Sequence, residues 1–134
     1  MRVFLIWLIL TSGLFGSGSL IAHWYLSSNP TRVLVAVDAS YPMTNVWPKV
    51  ELALNQIKDL RYREYSLITG KSSVHGWQDR LQFNNVVPYG PRIIEKIINN
   101  SQNNLINAAD QKYLVTNAPK NSFESKDWQI IYVE

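Results

Sequence analysis

The sequence predicts an α/β fold. It reads as a mostly parallel, doubly wound (Rossmann-like) sheet of about five strands with one antiparallel edge strand, preceded by an apolar amino-terminal helix. Three observations carry this reading. Continuous Val-rich runs such as "RVLVAVD" suit parallel strands covered on both faces. Segments with helical apolar spacing alternate with those runs, as βαβ units require. Residues 3 to 26 contain no Asp, Glu, Lys or Arg, over a length that spans a bilayer as a helix of about 20 residues or more.

That charge-free stretch, "VFLIWLILTSGLFGSGSLIAHWYL", is expected to be a signal anchor or transmembrane helix over residues 1–26. Gly16, Ser17, Gly18 and Ala22 are small enough to suit signal peptidase, but the apolar run continues past them and ends in Trp24 and Tyr25, where an interfacial aromatic belt would sit. A retained anchor is therefore the expectation. With only Arg2 and the amino terminus ahead of the span, a cytoplasmic start and a periplasmic or extracellular soluble part follow. Small residues four apart, Ser12 with Gly16 and Gly13 with Ser17, could let two such helices associate. A polar linker occupies 27–31.

The soluble domain, 32–134, opens with a strand at 32–38. Val46, Val50, Ala53, Leu54, Ile57 and Leu60 then mark one face of a helix over 46–60, with Pro48 tolerable in its first turn. "EYSLIT" at 64–69 is a second strand. "RLQFNNVV" at 80–87 reads as a third, joined through a turn near "HGWQD", and so short a connection implies an antiparallel hairpin. Pro91 opens a helix bearing Ile93, Ile94, Ile97 and Ile98; "NNSQNN" breaks it before a short helix through Leu105 and Ala109. "KYLVT" at 112–116 and "WQIIYV" at 128–133 complete the sheet. Val35, Val37, Leu54, Ile57 and Leu114 are the expected core.

Composition excludes several classes. With 46% hydrophobic and 17% charged residues and a net charge of +3, the charge is too weak and scattered for nucleic acid. The absence of cysteine rules out disulfides, thiolate metal sites and a cysteine nucleophile. "TGKS" at 69–72 lacks a phosphate loop's earlier glycine, since Tyr65 stands there. His75 and Asp79 flank the expected turn, and His23 lies at the membrane boundary. No Gly-x-Ser-x-Gly elbow occurs, and Ser40 has no identifiable base. Trp47, Trp77 and Trp128 read as packing residues. "NNS" at 99–101 is a glycosylation acceptor only where the source glycosylates.

Ligands of doubly wound sheets sit at the carboxyl ends of the strands, where the winding direction reverses. The first strand ends at Asp38 and the fourth at Thr116, so the loops "DASYP" and "TNAP" are expected side by side. A Val-rich strand ending in "DAS", an amphipathic helix, a hairpin, two helices and then "YLVTNAP" resembles a shortened von Willebrand factor A domain over residues 32–134. In that family the first loop reads Asp-x-Ser-x-Ser, a second supplies a Thr and a third an Asp. Together they hold a divalent cation, whose open position takes a carboxylate from a partner protein.

The resemblance implies that Asp38 and Ser40 are the surviving metal ligands, with Mg²⁺ as the ion. Pro42 replaces the second serine, Asn117 beside Thr116 replaces the third-loop acid, and "VVPYGPR" offers no Thr; Thr44 could substitute for the missing hydroxyl. A single carboxylate is a poor cage for Mg²⁺. The expected site is thus degenerate and needs no cofactor, with Asp38 and Ser40 capping the turn that follows. Asp38, Ser40, Thr44, Thr116 and Asn117 become candidate partner-binding residues of a membrane-anchored interaction module. Two alternatives stand beside it: a metal-assisted hydrolase using Asp38, and a small structural subunit of a membrane complex acting through its transmembrane helix.

Overall fold

A computed structural model describes residues 2–57, 60–83, 86–98, 103–122 and 127–134. The chain divides into two units, one ending at Pro30 and the other running from Thr31 to Glu134.

The first unit is a single helix, α1 (Arg2–Ser28), longer by two residues at its carboxyl end than the expected span. It is long and apolar enough to be a membrane span or a signal. Three of its hydroxyls bond back to its own carbonyls: Thr11 Oγ1 donates to Trp7 O at 2.8 Å, Ser17 to Leu14 O at 3.1 Å and Ser27 to Trp24 O at 3.0 Å. Polar groups satisfied in this way do not oppose burial in hydrocarbon. Asn29 ends the helix, donating through both its backbone N and its Nδ2 to Tyr25 O, and Pro30 prevents continuation.

The second unit is the α/β domain. Its strands are β1 (Thr31–Val37), β2 (Arg63–Thr69), β3 (Ser73–Gln78), β4 (Gln111–Thr116) and β5 (Gln129–Tyr132), and its helices are α2 (Trp47–Ile57), α3 (Ile94–Ile98) and α4 (Asn104–Ala108). The strand order is β3-β2-β1-β4-β5, with β3 alone antiparallel. β1 is central because Val33 to Val37 are apolar on both sides, and all five are fully buried. Val35 lies opposite Leu67 on one neighbour and Tyr113 on the other.

Alternation divides the core between the two faces. Val33, Val35, Val37, Leu67 and Val115 pack with Val50, Ala53, Leu54 and Ile57 of α2. Leu34, Ala36, Ile68 and Leu114 pack with Ile94 of α3, Ile106 of α4 and Trp128. The arrangement follows from connection handedness: the crossover from β1 to β2 and the later one from the β2–β3 hairpin to β4 run in opposite directions across the sheet, and both can be right-handed only if their helices cover opposite faces. The expected core residues, Val35, Val37, Leu54, Ile57 and Leu114, are all buried.

The hairpin differs from expectation. The third strand is Ser73–Gln78, so most of "HGWQD" lies in the strand, and the turn is earlier, closed by Thr69 N donating to Ser72 O at 2.8 Å. An edge strand with a mostly exposed pattern carries no apolar run for periodicity to detect. At 80–87 the described residues form no strand; Leu81, Phe83 and Val86 instead cover the α2 side of the core. Helix boundaries also shift. A 3-10 segment, Tyr41–Val46, precedes α2, which reaches Ile57, leaving Leu60 outside it and 51% exposed. α3 begins three residues after Pro91, and Ala109 is the extended residue that ends α4. The acceptor "NNS" at 99–101 lies outside the described residues, as does most of the expected helix break.

Candidate functional site

The winding reverses between β1 and β4, so their carboxyl ends are adjacent there. Asp38 N donates to Val115 O at 2.9 Å, which extends the β1–β4 ladder to the acid and fixes its side chain at the sheet's edge. That side chain is 2% exposed. Its Oδ2 accepts from Thr116 Oγ1 at 2.8 Å and from Arg92 Nε at 3.0 Å; its Oδ1 accepts from Ser40 N at 3.2 Å. Arg92 also donates through Nη2 to Asn117 Oδ1. Asn117 in turn donates from Nδ2 to Pro42 O at 2.7 Å. Thr116 Oγ1 accepts from Ala118 N at 3.1 Å, so it bonds in both directions.

Asp38, Thr116 and Asn117 therefore meet, though Asp38 and Thr116 are 78 residues apart in sequence. Thr44 does not join them: it is exposed, and its Oγ1 donates to Tyr41 O of its own turn at 2.7 Å. Asp38 makes the expected local turn bond, whereas Ser40 does not cap with its side chain. The Ser40 residue is 2% exposed, and its Oγ has no hydrogen-bond partner in the protein. Ser40 is held between two backbone bonds, Tyr89 N to Ala39 O at 2.7 Å and Tyr41 N to Gly90 O at 3.0 Å, so loop 39–41 zips to loop 89–90 and its hydroxyl faces inward.

Arg92 is the residue that sequence reasoning missed. It lies in "VVPYGPR", the loop without a Thr, and it supplies a cation instead. The available signal was indirect. A carboxylate at the end of a fully buried strand needs a counter-charge, and an unpaired buried charge is far more costly than a paired one.

The donor set does not fit a divalent ion. Both Asp38 oxygens are already engaged, and the guanidinium stands on Oδ2, where an ion would have to bind. The other oxygens within the network, from Thr116 and Asn117, are neutral and committed to protein partners. No group of three His, Asp or Glu residues able to hold a metal occurs among the described residues. His75 does not belong to the site: its ring lies against the Gly76 and Gln82 carbonyls on the antiparallel edge.

Aromatic and apolar side chains stand exposed on the same two loops. Tyr41, Val87 and Tyr89 belong to segments that the Ala39 and Gly90 backbone bonds draw together. The carboxyl edge thus combines an ion-paired, hydrogen-bonded polar network with an aromatic rim. No family model matches the chain, and neither does any curated protein or solved structure.

Proposed function

We propose that the chain is a membrane-anchored, extracytoplasmic protein-interaction module, an accessory or adhesion-type domain that acts by contact at the carboxyl edge of its sheet, without metal-dependent catalysis. The shortened von Willebrand factor A-like pattern of the sequence agrees with this reading. The observation that carries it is the exposure of Tyr41, Val87 and Tyr89 around a site whose charged groups are spent on one another. Aromatic side chains are favoured in binding surfaces, because they add contact area at small entropic cost. A base or nucleophile, by contrast, must be reached by its substrate, and the Asp38 side chain is 2% exposed and ion-paired with Arg92. The helix α1 would hold this surface near a membrane and restrict its partners to those within reach.

Photo-cross-linking of the full chain in its native membrane tests the reading. A probe at Val87 should capture a defined protein, and Tyr41→Ala with Tyr89→Ala should abolish the capture while leaving the chain folded. Cross-links formed only from residues 3–26 would instead favour a structural subunit acting through its helix. A hydrolytic turnover lost on Asp38→Ala would favour an enzyme.

A further inference from the structure

The surroundings of the His75 ring can be satisfied by only one of its charge states. The side chain stands partly exposed on the antiparallel edge strand β3, with Nδ1 2.9 Å from Gly76 O and Nε2 3.1 Å from Gln82 O. Both partners are backbone carbonyls, which accept and cannot donate. A neutral imidazole carries one N–H, so its other nitrogen would turn a lone pair toward a carbonyl oxygen, whereas the imidazolium carries two and donates to both. The geometry is that of the charged ring.

The second contact ties two separate stretches of chain together. Gln82 lies between Leu81, which is buried, and Phe83, whose ring centre is 5.4 Å from that of Trp47. Leu81 and Phe83 cover the α2 side of the core without belonging to a helix or a strand, so no ladder of backbone bonds holds them down. Charged groups do not explain the ring's position. His75 is the one titratable residue of β3. On β2, Glu64 pairs with Arg32, Arg63 donates to Gln111 and the Tyr65 hydroxyl accepts from Leu60 N. Asp79 and Arg80 on the connection, and Lys49 and Glu51 on α2, are exposed, and among the described residues no ion pair includes His75.

We propose that His75 is a proton-operated latch on this cover. Protonated, it donates to Gly76 O and Gln82 O together and fastens residues 81–83 to the edge strand; neutral, it keeps one bond while the other nitrogen repels its carbonyl, and the cover opens more often. Acid closes the α2 side of the domain, and neutrality loosens it. The latch goes beyond the contact surface and uses none of Tyr41, Val87 and Tyr89.

Limited tryptic cleavage of the full chain in detergent tests the proposal. The bond to watch follows Arg80, which is exposed, and precedes Leu81, which is buried, so cutting there requires the cover to open. Normalised at each pH to an unstructured peptide of the same sequence, this cleavage should fall about three-fold or more between about pH 8 and about pH 5.5. His75→Gln, whose amide stays neutral, should cut at the faster rate throughout. A second measurement needs no variant: in the parent chain the ¹⁵N signals of the His75 ring and the cleavage rate should titrate together. A rate that stays flat while the ring titrates, or a pH dependence that survives in His75→Gln, overturns the proposal.

Discussion

Arg92 shows how one side chain decides what a site can do. A carboxylate as buried as Asp38 is stable only while its partners remain, and breaking a buried pair costs about 3–5 kcal/mol because the survivor is left charged and dry. Arg92→Ala should lower unfolding free energy by that order in urea titrations of the full chain, whereas Asp38→Asn combined with Arg92→Ala should cost less than the two single losses added together. The same residue governs the response to metal. Mg²⁺ should leave Tm unchanged, since an ion that binds only the folded state would raise it. Pro42→Ser with Asn117→Asp should also stay silent, because Arg92 still occupies Asp38; adding Arg92→Ala to that pair should produce a Mg²⁺-dependent rise. A rise in the unaltered chain would show that the ion displaces the guanidinium. Asp38, Thr116 and Asn117 were legible because each ends or follows a strand of strong apolar character, and topology then brings strand ends together. Arg92 was not legible, since 54 residues separate it from Asp38 and only the folded loop shows that they meet.

Among the elements, legibility follows burial. β1, β2 and β4 carry apolar runs because both of their faces are covered, and α2 shows a 3.6-residue period because one of its faces meets the sheet. β3 lies at the edge with most of its side chains in solvent, so of its residues only Trp77 packs against a core cluster, and the alternation beyond it belongs to a covering segment rather than a strand. The packing of α2 predicts its own weak point. Leu54 is fully buried at the centre of its face, and Leu54→Ala should destabilise the chain by about 2–5 kcal/mol, read as a lowered denaturation midpoint with unchanged slope. A loss well under about 1 kcal/mol would contradict the helix-on-sheet packing.

For the whole molecule, the leading expectation concerns α1. Burying so long an apolar helix in lipid is effectively irreversible, so the chain should remain with the membrane through carbonate and high-salt washing. Recovery of a soluble species beginning near residue 19 or 23 would show that the helix is a cleaved signal. The placement of β1 at the middle of the sheet has a consequence in time. The ribosome makes this strand early, yet its second flank is closed only when Gln111–Thr116 emerges. Until then Val33–Val37 has at most β2 beside it, and one edge of the most apolar strand in the domain stands unpaired. Closing so long a loop is slow compared with forming local helices, so the nascent domain passes through an interval in which that bare edge is open to misassociation, and an interruption of synthesis before residue 111 would make the interval permanent.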